Sequence, residues 1–329
     1  MEPQLVQIDN SCGMVTSEPV WANVSSPHYD SAAMDGISVR AKDTIGATET
    51  SPKKLFIGSD AEWIDTGDPL PDGFDAVVMI EVVNRLSDNC VEIRSPVHPY
   101  SNIRPIGEDV ISGELLLPEN HVLRPIDLGA CAASGVTEIL VRSPVKVAII
   151  PTGTELVPIG SDTNPGDIIE YNSLVISELI KEWGGNPTRF NPVADDYELI
   201  KQKILEASDH YDLILVNAGS SAGSEDYTAD IVESLGDMIV HGVALRPGHP
   251  VVLGIVSGTP VIGIPGYPVS AVLTCELFVK PLIEYKLGIE ASDREMVQAK
   301  ITTKVNSPMG EDEVLRVRLG RVGDSMLAM

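Results

Sequence analysis

The chain has 329 residues, 43% of them hydrophobic, with 48 acidic against 23 basic side chains and a formal net charge of −25. That length and apolar content support two or more domains with real cores, which excludes a small stapled scaffold. The acidic excess repels nucleic acid and acidic membrane surfaces, and no local basic patch offsets it, so neither is expected as a partner.

Four cysteines, Cys12, Cys90, Cys131 and Cys275, lie far apart without a Cys-x-x-Cys pair. Neither a zinc ribbon nor a disulfide framework is expected, and a reduced, cytoplasmic setting is the default. No apolar run approaches the roughly 20 residues of a membrane span, and no charged-then-apolar leader is visible, so a soluble protein is expected.

The first thirty residues read as short β-like pieces with no opening helix, and Pro19 and Pro27 keep the stretch from Val15 to Tyr29 extended. Asp30-Ser31-Ala32-Ala33-Met34-Asp35-Gly36 follows, where Gly36 allows a backbone turn that presents Asp35 outward. The Asp-Gly pair equally reads as a plain turn. From Ile37 to Pro105, short apolar runs alternate with Gly, Pro, Asp and Asn, which argues for a small β-rich barrel or sandwich. Asn102-Ile103-Arg104 and Gly107-Glu108-Asp109 close it with one cation and two acids, a set that also suits a solvated loop. Residues 127–134 could form a helix ended by Gly135.

At Val145 the character changes. Val145-Lys146-Val147-Ala148-Ile149-Ile150 is a buried-strand run, followed by Pro151-Thr152-Gly153-Thr154-Glu155-Leu156. Helices are predicted near 172–184, 196–208, 226–236 and 268–287, and strands near 188–193, 212–217, 239–244, 251–256 and 260–264. Such alternation indicates βαβ units, a mostly parallel sheet with helices on both faces, and ligands at the carboxyl ends of the strands.

Those ends carry the chemistry. Leu213 to Thr228 runs from an apolar strand into a small-residue loop with Gly219, Ser221 and Gly223, then Glu225 and Asp226 before a helix. A glycine-rich loop there can turn backbone N–H groups toward an anion, although an ordinary βα connection has the same form. Pro247-Gly248-His249-Pro250 and Pro265-Gly266-Tyr267-Pro268 repeat a Pro-Gly-x-Pro pattern, rigid on both sides of a glycine that admits a ligand close to the backbone; two tight turns would read alike. Arg246 supplies positive charge beside the first. Carboxylates facing a phosphorylated ligand require a divalent cation between them, normally Mg²⁺.

Ser31 to Gly36, Asn102-Ile103-Arg104 with Gly107-Glu108-Asp109, Pro151 to Leu156, Asn217 to Thr228, Arg246 to Pro250 and Gly263 to Ser270 occur in the order seen in molybdopterin molybdenumtransferases. The chain resembles that family, the MoeA-like proteins that include the molybdenum-insertion domain of gephyrin, from about residue 5 to 290. The resemblance implies an α/β plus β fold: a three-layer α/β sheet domain of molybdopterin-binding type, a β-rich domain inserted upstream, and a truncated C-terminal β domain. The implied division is 1–30 with 106–143 as a linking and dimerisation domain, 31–105 as the β-rich barrel-like domain, 144–290 as the sheet domain and 291–329 as the partial β domain.

The implied activity is molybdenum cofactor biosynthesis: insertion of molybdate or tungstate into adenylylated molybdopterin, with Mg²⁺-dependent cleavage and release of AMP. The alternative is a molybdopterin-binding or scaffold module without turnover. Further implications are a homodimer whose sites combine the sheet domain of one chain with the β-rich part of the other, and a molybdopterin adenylyltransferase as upstream partner. By position, Asp35, Asp109, Glu155, Asp195 and Asp226 become the catalytic acids, with Asp35, Glu155 and Asp226 as metal ligands. Ser221, Arg246, Gly248, His249 and Pro250 would face molybdate and phosphates, while Gly219, Gly223, Pro265, Gly266 and Pro268 would line the pterin cleft.

Three positions depart from the family pattern. Its usual Pro-Gly-Lys-Pro is Pro-Gly-His-Pro here, which replaces a permanent cation with the His249 imidazole. Pro-Gly-Asn-Pro becomes Pro-Gly-Tyr-Pro at Tyr267, and Gly-Asp-Glu becomes Gly-Thr-Glu at Thr154. The family's first helix and the rest of its final β domain are expected to be missing, as in a trimmed or fused chain.

Overall fold

The computed structural model describes residues 1–218, 227–290, 296–306 and 309–329. The chain divides into two compact units, Gln4–Val141 and Arg142–Met329, the latter including Met1–Pro3.

The Gln4–Val141 unit is dominated by short antiparallel strands. Gly36–Val39 lies between Ala61–Ile64 and Ala76–Met79, and Cys90–Ile93 lies between Lys53–Phe56 and Val83–Ser87. Alternating side chains of these two sheets, among them Ile37, Val39, Leu55, Val78, Val91 and Ile93, bury one core. A second core joins the two ends of the unit through Val20, Leu117, Leu123, Cys131, Ile139 and Val141.

Gly36 is not in a turn, as the sequence suggested. It begins the central strand of its sheet, and a Cβ there would stand 2.0 Å from the Val78 carbonyl oxygen. Close strand pairing therefore selects the glycine. The helix Pro125–Ala133 begins at a proline that has no N–H to leave unpaired. The Asp127 carboxylate caps it, accepting from the Arg124 backbone N–H at 2.8 Å, the Arg124 guanidinium at 2.8 and 2.9 Å, and His121 Nε2 at 2.7 Å. The Arg124 guanidinium holds the Asp127 carboxyl well below the usual carboxylate range, against the upward push of its own burial.

The second unit is built on a six-stranded sheet. In chain order its strands are β1 Val145–Pro151, β2 Gly185–Arg189, β3 Leu213–Ala218, β4 Gly236–His241, β5 Val252–Val256 and β6 Thr259–Pro265. Their spatial order is β2-β1-β3-β6-β5-β4; the first four are mutually parallel, and β5 runs antiparallel to both of its neighbours, β6 and β4. The helices are α1 Asn172–Glu182, α2 Tyr197–Ser208, α3 Thr228–Leu235, α4 Pro268–Thr274 and α5 Lys280–Leu287.

One face of the sheet, with Ala148, Ile150, Ile214 and Val216, packs on Ile200 and Ile204 of α2 and Ile231 and Val232 of α3. The alternate residues Ile149 and Leu215 are equally buried, and α1, α4 and α5 lie against β1 and β6. Three layers result, as period-two strands with two apolar faces require. Gly263 lets β6 approach its neighbours: a Cβ would meet the Val252 Cβ at 2.9 Å and Thr228 Cγ2 at 3.1 Å.

The helix expected over 268–287 is broken by a π turn at Cys275–Val279. Pro281 has no N–H for the carbonyl four residues earlier, so the regular ladder cannot continue unaltered. The strand expected near 188–193 is Gly185–Arg189, where Pro187 is tolerated because β2 is an edge. The strand expected near 239–244 is Gly236–His241. Past α5, Ser325–Ala328 pairs with Leu319–Val322 and Lys300–Ile301, and Asp312–Glu313 pairs with Leu245–Arg246. Among the described residues no helix is long and apolar enough to cross a membrane.

Candidate active site at the carboxyl ends of the sheet

Strands β1, β3 and β6 run side by side in parallel and end together, with Pro151 opposite Asn217 and Asn217 opposite Ile264. The buried Asn217 carboxamide ties these ends: its Nδ2 donates to the carbonyls of Pro265 at 3.1 Å and Ile264 at 3.4 Å. Its Oδ1 accepts from Asn172 Nδ2 at 3.2 Å, and the same Asn172 nitrogen donates to the Gly266 carbonyl at 2.6 Å. Thus α1 is locked to two strand ends through its first residue.

The amino end of α1 is held in turn by Glu170, which is 6% exposed. Glu170 Oε1 accepts from the Ser173 N–H at 2.8 Å and Oε2 from the Ser173 hydroxyl at 2.5 Å. Arg189 of β2 donates from Nε to Ser173 Oγ at 2.7 Å and brings a terminal nitrogen to 3.5 Å from Glu170. These contacts hold the amino end of α1, consistent with the rule that buried charges are paired.

A cavity of about 330 Å³ opens between these elements. Thr152, Glu155 and Asn217 come from the strand ends, Tyr171 and Asn172 from the start of α1, and Gly266, Tyr267 and Pro268 from the loop leading into α4. Leu156, Ile168 and Ile169 add apolar wall. Gly153 keeps the Glu155 carboxylate folded toward the loop, since a Cβ would lie 2.8 Å from Leu156 Cγ and 3.0 Å from Glu155 Oε2. Asp195 is on the neighbouring loop, where its Oδ2 accepts from the Thr154 N–H at 3.0 Å.

The expected residues are distributed unevenly. Glu155, Gly266 and Pro268 share the cavity wall, and Pro265 is buried behind it. Arg246, Gly248, His249 and Pro250 are not among its described lining. Arg246, expected to face an anion, instead pairs with Glu311, which arrives with the Asp312–Glu313 strand beside it. Gly248 is buried and His249 exposed. Gly219, Ser221, Gly223 and Asp226 lie outside the described residues.

Asp35 and Asp109 belong to the Gln4–Val141 unit. Both the N–H and the hydroxyl of Thr66 donate to Asp35 Oδ1 at 2.7 Å, and these bonds, the hydroxyl's first, hold its carboxyl below the usual range. Arg104 donates to Glu108 at 2.7 Å and to both Asp109 oxygens at 2.9 and 3.0 Å. The cation and two acids of that loop therefore satisfy one another.

Among the described residues no group of three or more metal-ligating side chains is assembled. Glu155 and Asp195 still offer the hard carboxylate oxygens that Mg²⁺ takes one or two at a time, with waters and phosphate oxygens completing its shell. Sequence reasoning missed Glu170, Tyr171 and Asn172. Their signal was modest, three polar-tipped residues between Ile168-Ile169 and a helical pattern, and it reads as a helix start alone.

Residues 1–135 match the MoeA N-terminal region (domain I and II), and residues 148–285 match the probable molybdopterin binding domain. The chain is similar to molybdopterin molybdenumtransferase 2 of Mycobacterium tuberculosis, at 32% identity over 99% of this chain and 85% of that one. It is also similar to the molybdopterin molybdenumtransferase of a Nostoc species, at 30% identity over 91% and 73% of the two chains. The crystal structure of the molybdopterin biosynthesis MoeA protein from Pyrococcus horikoshii superposes with a TM-score of 0.81 at 28% identity, over 99% of this chain and 84% of that one. Motifs, fold and both halves of the sequence agree, and the chain belongs to the MoeA-type family of molybdopterin molybdenumtransferases.

Proposed function

We propose that this chain is a transferase of molybdenum cofactor biosynthesis that accepts adenylylated molybdopterin and molybdate, cleaves the phosphoanhydride, releases AMP and leaves molybdenum on the pterin dithiolene. The observation that carries this reading is the cavity at the ends of β1, β3 and β6, in the half of the chain that matches a molybdopterin-binding domain. Tungstate is a second candidate oxyanion, because His249 replaces the family's usual lysine beside Arg246.

Phosphoanhydride cleavage is mostly positioning and charge neutralisation, so the chain needs carboxylates for a cation, a guanidinium for oxyanions and a fixed seat for the pterin. Glu155 and Asp226, with Asp35, would hold Mg²⁺, which when bound would neutralise charge on the phosphates, and Asp195 and Asp109 would complete the acidic site. Arg246 would exchange Glu311 for an anionic oxygen; Ser221, Gly248, His249 and Pro250 would stand with it. Gly219, Gly223, Pro265, Gly266 and Pro268 would complete the pterin cleft.

We read residues 31–105 as inserted into a linking domain of 1–30 and 106–143, which would make the homodimer and bring Asp35 and Asp109 of one chain to the sheet domain of its partner. A molybdopterin adenylyltransferase would supply the substrate. Four free cysteines suit a reducing, cytoplasmic setting.

Incubation with adenylylated molybdopterin, Mg²⁺ and molybdate, following AMP, tests the reading. AMP release that requires both ions supports it; binding without AMP release would establish a molybdopterin-binding module without turnover.

A further inference from the structure

Two tyrosines stand at the mouth of the cavity without a ring partner. Tyr171 is 45% and Tyr267 69% exposed, both line the cavity, and neither joins any ring–ring or cation–ring contact found among the described residues. Exposed tyrosines are common singly. These two differ in how their backbones are fixed.

Tyr171 lies between Glu170, bonded to Ser173, and Asn172. Tyr267 follows Gly266, whose carbonyl accepts the 2.6 Å bond from Asn172, and precedes Pro268 at the start of α4. One side chain thus ties together the two short segments that carry the rings. Aromatic surface held on a preset backbone loses little freedom when a ligand docks against it.

The rest of the wall decides what part of a ligand fits. Its charged members are Glu155 and Glu170, and no lysine or arginine is among the described lining residues. Carboxylates in a partly apolar wall disfavour phosphate except where a cation such as the Mg²⁺ proposed at Glu155 offsets their charge. Ile168, Ile169 and Leu156 favour a flat, uncharged group, and ring stacking on tyrosine suits any heteroaromatic face.

We infer that Tyr171 and Tyr267 are specificity-determining residues that grip an uncharged fused heteroaromatic ring of the substrate, leaving its phosphates to the metal-binding carboxylates. The inference rests on the adenylylated molybdopterin reading, whose substrate offers two such rings, pterin and adenine. Tyr267 stands where the family usually has asparagine, so the grip belongs to this chain.

The test measures KM and kcat for adenylylated molybdopterin with Tyr171→Ala, Tyr267→Ala, Tyr267→Phe and, as a distant exposed control, Tyr285→Ala. Each cavity alanine variant should raise KM about ten-fold or more while kcat changes little, from the usual worth of base stacking on an aromatic side chain. Tyr267→Phe should keep the wild-type KM, because the face and not the hydroxyl is used, and Tyr285→Ala should be silent. Competition by pterin-6-carboxylate and by AMP then identifies the ring: inhibition by the fragment that sits between the tyrosines weakens in the alanine variants, and the other's does not. Normal AMP release with unchanged KM in both alanine variants would overturn the inference and leave the proposed function standing. Failure of the wild type to bind adenylylated molybdopterin would overturn both.

Discussion

The side-chain nitrogen of Asn172 donates to the carbonyl of Gly266 at 2.6 Å, joining residues 94 apart in sequence and fixing the Pro265–Pro268 loop against the start of α1. Its second contact, 3.2 Å from Asn217 Oδ1, makes Asn172 the hub of the cavity wall. Asn172→Ala should weaken binding of adenylylated molybdopterin by about ten-fold and cost roughly 1 kcal/mol of stability, the usual net worth of a side-chain hydrogen bond. Asn172→Asp should be worse than alanine, since it sets a carboxylate against two oxygens. Calorimetric titration with urea melts measures both effects; an aspartate variant as stable as wild type would count against the hub.

Gly36→Ala should destabilise the Gln4–Val141 unit by about 1–3 kcal/mol, in the range of forced overpacking, because the new methyl would have to displace the Val78 carbonyl from 2.0 Å. Gly13→Ala provides a contrast, since a Cβ there meets nothing within 4 Å although its φ is +80°. Only the first should loosen the sheet that contains Asp35's neighbouring strand, seen as faster amide exchange at Ile37 and Val78.

Asp127 predicts an acid-side response. Its carboxyl is held below the usual range in the folded chain, so folding is favoured while the group is ionised in both states. That contribution is complete above about pH 4 and is lost as pH falls from there toward the lower folded value. Asp127→Ala should cost about 1 kcal/mol at pH 7, as for loss of an N-terminal helix cap, and should flatten the stability profile below pH 4. Thermal melts of both proteins between pH 7 and pH 3 check this; parallel curves would assign the acid sensitivity to other groups.

The layers were legible because the period of the apolar pattern decides them. Val145–Ile150 and Leu213–Val216 read as buried strands, and α1 and α2 fall within two residues of the helical stretches predicted at 172–184 and 196–208. Pro281 was visible, yet a continuous helix was expected across it, since the apolar period runs on through a proline whose missing N–H alters the ladder only locally. Site chemistry was less legible. Glu155, Gly266 and Pro268 could be placed on one edge from strand ends alone, but Asn172 reaches Gly266 and Asn217 only through the fold. Asp-Gly at 35–36 looked like a turn because a central strand needing a bare Cα has no local mark.

Arg246 was expected to greet an anion, and its partner Glu311, 65 residues on, could not be read from the local loop. Arg246 is 59% exposed at its side chain and Glu311 23%, so the pair is worth about 1 kcal/mol or less and a bound oxyanion can displace it. Glu311→Gln should therefore free the guanidinium and tighten molybdate binding several-fold, with little effect on folding. Arg246→Ala should abolish that gain and reduce AMP release by about 100-fold or more, the scale seen when an oriented donor to a developing charge is removed. The two substitutions together should behave like Arg246→Ala alone, because Glu311 acts on the anion only through the arginine. Molybdate titrations of the single and double variants decide it. If Glu311→Gln leaves molybdate affinity unchanged, Arg246 does not meet the oxyanion, and the positive charge for that step must come from elsewhere in the Arg246–Pro250 loop.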